Sequence, residues 1–130
     1  MTLVEHNNSP FRILVADDEA SIRKLVCDTI EPLGYKIIEA ANGEEALELI
    51  QKNEGKINLL ITDVIMPKMT GKKLAEAVYA EYPEIKVLYM SGYTDNVIAH
   101  QGVLAPNIEF INKPLVPSLL TKKIREVLEK

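Results

Sequence analysis

A chain of 130 residues has the length of one ordinary domain, and its 47% hydrophobic and 26% charged residues form an average globular mixture, which excludes a disordered, collagenous or coiled-coil chain. A formal net charge of -4 without a basic block, the Lys122, Lys123, Arg125 group being diluted by Glu126 and Glu129, argues against direct binding of nucleic acid. The single cysteine, Cys27, forms no internal disulfide and fits a reducing, cytoplasmic setting, and no apolar run approaches the ~20 residues of a membrane span.

Met1 to Pro10 is polar, lacks the apolar core of a signal peptide, and reads as a flexible leader to one domain over residues 11–130. From there two kinds of segment alternate. Ile13 to Ala16, Leu59 to Thr62, Val87 to Met90 and Ile108 to Ile111 are apolar runs without clean alternation, the pattern of parallel strands buried on both faces. Tyr35 to Ala40 alternates more and suits an edge strand. Between them lie helical patterns. Ile22, Leu25, Val26 and Ile30 share one face, with Gly34 as the expected stop. A second helix is expected from about Glu44 to Lys52. A third follows Gly71 and ends before Pro83. A short, weakly patterned one falls near Asp95 to Gly102. A last one carries Leu120, Ile124, Val127 and Leu128. Strand and helix repeated about five times predict right-handed βαβ units, hence an α/β fold with a parallel sheet between two helical layers.

In such sheets ligands bind at the carboxyl ends of the strands. The apolar runs end in Asp17-Asp18, in Asp63, in Ser91-Gly92 and, after the fifth, in Lys113-Pro114. The fold therefore brings three carboxylates, a hydroxyl and an ammonium to one rim. Clustered carboxylates repel, and a divalent cation resolves the repulsion. Mg²⁺ prefers oxygen ligands and pairs with phosphates, and it lets a carboxylate stay ionised and nucleophilic. With Lys113 as a fixed positive charge and Ser91 as a hydroxyl donor, the set suits phosphoryl transfer to a carboxylate.

Asp17-Asp18-Glu19, Asp63-Val64-Ile65-Met66-Pro67, Ser91-Gly92 and Lys113-Pro114, in this order, resemble the signature of the response-regulator receiver family, over almost the whole chain after the leader. The resemblance implies a flavodoxin-like (βα)5 three-layer sandwich with a five-stranded parallel sheet in the order 2-1-3-4-5. It implies that Asp63 takes the phosphoryl group. Asp18 would bind Mg²⁺ directly, Asp17 mostly through water, and the backbone carbonyl of Ile65 would be a further ligand. Ser91 and Lys113 would hold phosphoryl oxygens, and Phe110 would be the switch aromatic that turns inward as Ser91 moves toward the phosphoryl group. The bond before Pro114 is expected to be cis. Ser91 stands where threonine is frequent in the family, and Phe110 where tyrosine is. The implied partners are a sensor histidine kinase or phosphotransfer protein and a downstream protein. Tyr89-Met90-Ser91-Gly92-Tyr93-Thr94 resembles receivers of hybrid sensor kinases, and no output domain is expected after Lys130.

Other readings compete. Asp18 can cap the helix that follows it. An aspartate-nucleophile phosphatase needs a second acid two residues after Asp63, where Ile65 stands. A flavin or dinucleotide binder needs a phosphate-cradling loop where Asp17, Asp18 and Glu19 stand. A pseudo-receiver that only binds a partner would not need the intact acidic and lysine positions. Cys27 reads as structural, His6 and His100 lack ligand spacing, and Tyr79, Tyr82 and Tyr89 read as packing or half-buried residues, with Tyr93 on an exposed face.

Overall fold

Five short strands pair side by side and in parallel. The strands are β1 (Arg12–Ala16), β2 (Lys36–Ala40), β3 (Leu59–Asp63), β4 (Lys86–Ser91) and β5 (Glu109–Asn112), ordered β2-β1-β3-β4-β5. The computed structural model describes residues 11–92 and 109–129. The leader with His6, the helix expected near Asp95 to Gly102 with His100, and Tyr93 lie outside those residues. Four helices are described: α1 (Ala20–Ile30), α2 (Gly43–Lys52), α3 (Gly71–Glu81) and α4 (Pro117–Leu128).

Three of the four apolar runs do what burial on both faces requires; the fourth, expected at Ile108 to Ile111, forms β5, which is the other edge strand and has no fully buried residue among those described. All five residues of β3 are buried, as are the last four of β1 and of β4. Side chains of a strand alternate between faces, so each run feeds two cores. Ile13, Val15, Leu59, Ile61, Leu88 and Met90 pack against Val26 and Ile30 of α1 and Leu120, Ile124 and Val127 of α4. Leu14, Ala16 and Leu60 pack on the opposite face against Ala46 and Ile50 of α2 and Leu74 and Val78 of α3. β2 is an edge strand buried only at Ala40, in keeping with its mixed sequence.

Local chemistry sets the boundaries. Asn42 caps α2 by accepting a hydrogen bond from the Glu45 N–H at 2.9 Å, and Glu45 reaches back to the Ala41 N–H at 2.6 Å. Thr70 caps α3 through the Lys73 N–H at 3.1 Å, and Pro117 opens α4. The first helix ends earlier than expected. It stops at Ile30, a 3-10 turn spans Glu31–Leu33, and Gly34 closes that turn rather than the helix, with φ of 92°. The fifth strand begins at Glu109 within the described residues and runs to Asn112, one residue beyond the expected end. Tyr79 is exposed rather than packed, because it sits on the outer face of α3 opposite Leu74 and Val78. No helix among the described residues is long and apolar enough to cross a membrane.

Candidate functional site

The carboxyl ends of β1, β3 and β4 and the turn after β5 meet along one edge of the sheet. Asp17 follows β1, and its N–H donates to the Ala40 carbonyl at 3.1 Å, carrying the pairing with β2 one residue further. Its side chain is fully buried, and Oδ1 accepts from the Glu19 N–H at 2.8 Å. Asp18 is exposed. It does not cap α1: the capping position is Glu19, and no side chain makes the capping bond. Asp17, not Asp18, satisfies the backbone at that corner.

Asp63 closes β3 and keeps only 7% of its surface exposed. One carboxylate oxygen from each of Asp17, Asp18 and Asp63 lies within 4.8 Å of the others. Lys113 reaches in from the other side. Its Nζ stands 3.2 Å from Asp63 Oδ2 and 3.3 Å from Asp17 Oδ2, and its N–H donates to the Ser91 carbonyl at 2.9 Å. The Lys113–Pro114 bond is cis, as the resemblance implies. Burial disfavours the lysine's charge, but the carboxylates of Asp63 and Asp17 outweigh it and hold the ammonium above its ordinary 10.5. Lys113 therefore stays charged throughout the neutral range. Ser91 is fully buried, with Oγ 3.5 Å from Asn112 Oδ1. An all-oxygen donor set of three carboxylates fits a hard divalent cation such as Mg²⁺.

Ile65, two residues beyond Asp63, is 54% exposed. Phe110 is half-buried and stacks on its register partner Tyr89, with ring centroids 5.9 Å apart. The fully buried Tyr89 donates its hydroxyl to the Gly71 carbonyl at 3.4 Å, tying the aromatic pair to the loop after Asp63. Burial, aided by the charge of Glu76, pushes that phenol well above its ordinary value.

Two residues that sequence reasoning missed make close backbone contacts at this site. Gly71 opens α3 directly beneath Asp63. Its N–H donates to the Val64 carbonyl at 2.8 Å, and a Cβ there would run into the Asp63 carbonyl oxygen. The signal was a glycine at the first position of a helix, where a side chain would otherwise be tolerated. Arg23 donates from one guanidinium nitrogen to the Asp17 carbonyl at 2.7 Å. A cation one helical turn past an Asp-Asp pair was the only sign of it in the sequence.

Cys27 is half-buried on α1. Burial first, then the neighbouring Glu39 carboxylate, pushes its thiol from 9.0 up to about 11. Two units mean about 100-fold less thiolate at neutral pH than an open cysteine carries, and thiolate is the reactive form. Alkylation by iodoacetamide at pH 7.5 is expected to be slower than that of a small free thiol by a similar factor. A rate within threefold of the free thiol would contradict a thiol held up by burial.

Known proteins are similar to this chain in sequence and fold. The response regulator receiver domain model matches residues 13–125. The chain is 35% identical over 120 residues to a chemotaxis protein CheY homolog of Campylobacter jejuni, covering 90% of this chain and 92% of that protein. It is 31% identical over 118 residues to sensor kinase CckA of Brucella abortus, covering 91% of this chain but only 12% of the kinase. The solved chemotaxis protein CheY4 of Vibrio cholerae superposes with a TM-score of 0.80 at 31% identity, covering 92% of this chain and 99% of that one. With the match running from β1 into α4, and with the acidic cluster, the buried hydroxyl and the lysine all at the strand ends, the chain belongs to the response regulator receiver domain family of two-component signalling.

Proposed function

We propose that Asp63 accepts a phosphoryl group from a phosphohistidine on a sensor histidine kinase or phosphotransfer protein. Receiver domains of this family interact with such donors, and they generally bind Mg²⁺ through acidic residues. The single observation that carries the reading is the bridging lysine: one ammonium lies within 3.3 Å of both Asp63 and Asp17, inside a cluster of three carboxylates. That is a site arranged around negative charge that exceeds what one lysine neutralises.

The chemistry balances simply. An oxygen of Asp63 forms the new bond to phosphorus as the bond to the donor's leaving group breaks, and the result is an acyl phosphate on the chain. A divalent cation held by Asp17, Asp18, Asp63 and the Ile65 backbone carbonyl would supply charge neutralisation for the incoming phosphoryl oxygens. Lys113 holds a phosphoryl oxygen by its fixed charge, and Ser91 supplies a hydroxyl from the end of β4. The near-complete burial of Asp63 limits access of water to the carbonyl side of the acyl phosphate. Phe110, stacked on Tyr89, would shift when Ser91 engages the phosphoryl group, which is a change of population between two packings.

The phosphatase reading has no support in the geometry, since the position two residues past Asp63 carries the exposed apolar side chain of Ile65. The test is incubation with acetyl phosphate and Mg²⁺, followed by intact mass. One added phosphoryl group is expected, and its yield is expected to fall to background when a chelator removes the metal. Absence of an adduct together with no amide shift changes on addition of beryllofluoride, in a folded sample, would sink the proposal in favour of a pseudo-receiver.

A further inference from the structure

Arg23 lies on α1 outside the acidic cluster, yet its guanidinium links the end of β1 to β2. One terminal nitrogen donates to the Asp17 carbonyl at 2.7 Å, and Nε donates to Glu39 Oε1 at 3.3 Å. The arginine side chain is only 19% exposed, whereas Glu39 is 53% exposed. The bond to Asp17 is a charge-assisted bond to a peptide oxygen, which is shorter and stronger than a neutral one.

That peptide links Asp17 to Asp18. Every other polar group of Asp17 is also engaged: its N–H by the Ala40 carbonyl, Oδ1 by the Glu19 N–H and Oδ2 by Lys113. Asp18, by contrast, is exposed and stands beyond the last strand pairing. The peptide plane that Arg23 holds fixes the N–Cα bond from which the Asp18 side chain projects. Glu39 anchors the other prong of the guanidinium fork, so the arginine is itself held from β2.

We infer that Arg23 is a positioning residue for divalent-cation binding, acting on Asp18 through the Asp17–Asp18 peptide, with Glu39 as its anchor. The inference rests on the reading of Asp17, Asp18 and Asp63 as the cation site. A residue that orients a ligand from one shell out typically changes metal affinity by about 10-fold or more when removed. The fork geometry is specific to arginine, since lysine offers a point charge that reaches one partner at a time.

The experiment is a Mg²⁺ titration of the unphosphorylated protein followed by amide NMR, with wild type, Arg23→Gln, Arg23→Lys and Glu39→Gln in parallel and a thermal melt of each without metal. Arg23→Gln is expected to weaken Mg²⁺ binding roughly tenfold. Arg23→Lys is expected to recover only part of that loss, and Glu39→Gln to weaken binding by a smaller factor of about threefold, with the fold intact. A purely structural role would lower the melting temperature and leave the Mg²⁺ affinity of the folded protein unchanged. Affinity within twofold of wild type in both Arg23→Lys and Glu39→Gln would overturn the inference even if Arg23→Gln failed to fold. Wild type that shows no Mg²⁺-dependent shifts at Asp17, Asp18 or Asp63 would instead overturn the cation site itself.

Discussion

Asp63→Asn is expected to abolish phosphoryl uptake altogether. The amide has the shape of the carboxylate but no anionic oxygen to attack phosphorus. Asp63 closes β3 at the bottom of the site with 7% of its surface exposed, and Asp17 is more deeply buried and already engaged on both oxygens by the Glu19 N–H and Lys113. Asp18 is exposed, and among the described residues Lys113 pairs with Asp17 and Asp63 instead. Of the three, Asp63 alone closes a strand, keeps part of its surface exposed and pairs with Lys113. The substitution removes one negative charge from a crowded cluster and leaves Lys113 paired with Asp17, so the fold is expected to persist. Intact mass after acetyl phosphate and Mg²⁺ is the measurement. An adduct of undiminished yield in the variant would move the acceptor to another side chain.

Lys113→Met is expected to reduce the rate of adduct formation roughly hundredfold or more, the usual consequence of losing a preorganised charge that meets a developing anion. Methionine fills similar space without the ammonium. Uptake within threefold of wild type at matched Mg²⁺ would rule out a direct role for the lysine. Stability changes as well. Two ion pairs are lost, and Asp17 and Asp63 are left facing each other without a fixed cation. Breaking a buried pair costs more than breaking a surface one, and this pair is largely but not wholly buried, so a loss of about 1–3 kcal/mol is expected in urea unfolding without metal. Mg²⁺ should then stabilise the variant more than it stabilises wild type. The pH dependence has a definite sign. A lysine held above its ordinary 10.5 stabilises the fold in full below that value, and the contribution disappears as pH rises through the raised value. The difference between wild type and variant should therefore be flat from neutral pH to about pH 10 and narrow only in stronger alkali.

The strands were legible because burial on both faces leaves a simple trace. Runs such as Leu59 to Thr62 have no polar face, and the structure buries every residue of β3. The mixed run in β2 marked an edge, and it is one. Boundaries were less legible where short-range turns decide them. The stop at Ile30 had a local mark in Pro32, which has no N–H to offer the Asp28 carbonyl, so the chain tightens into the 3-10 turn over Glu31–Leu33 while Leu33 still packs on the core. Tyr79 was misjudged because a tyrosine at helical spacing looks the same whether it faces the sheet or the solvent.

The sequence by itself determined the alternation of strand and helix, and with it the class of fold, since right-handed parallel crossovers leave few ways to bury such runs. It also determined which polar residues stand at the strand ends, because each follows directly on an apolar run. The tertiary structure alone decided how those residues divide the work. Asp17 and Asp18 are neighbours in the chain and equivalent in sequence, yet Asp17 continues the pairing with β2 and is buried while Asp18 faces solvent. The pairing of β2 with β1 brings Glu39 to Arg23, whose guanidinium holds the Asp17 carbonyl. The tight approach of α3 to the end of β3 demands glycine at position 71. The burial of Asp17 and the reach of Glu39 depend on the pairing of β1 with β2, which local spacing does not record, and the glycine and the arginine left only faint local marks whose meaning the packing decides.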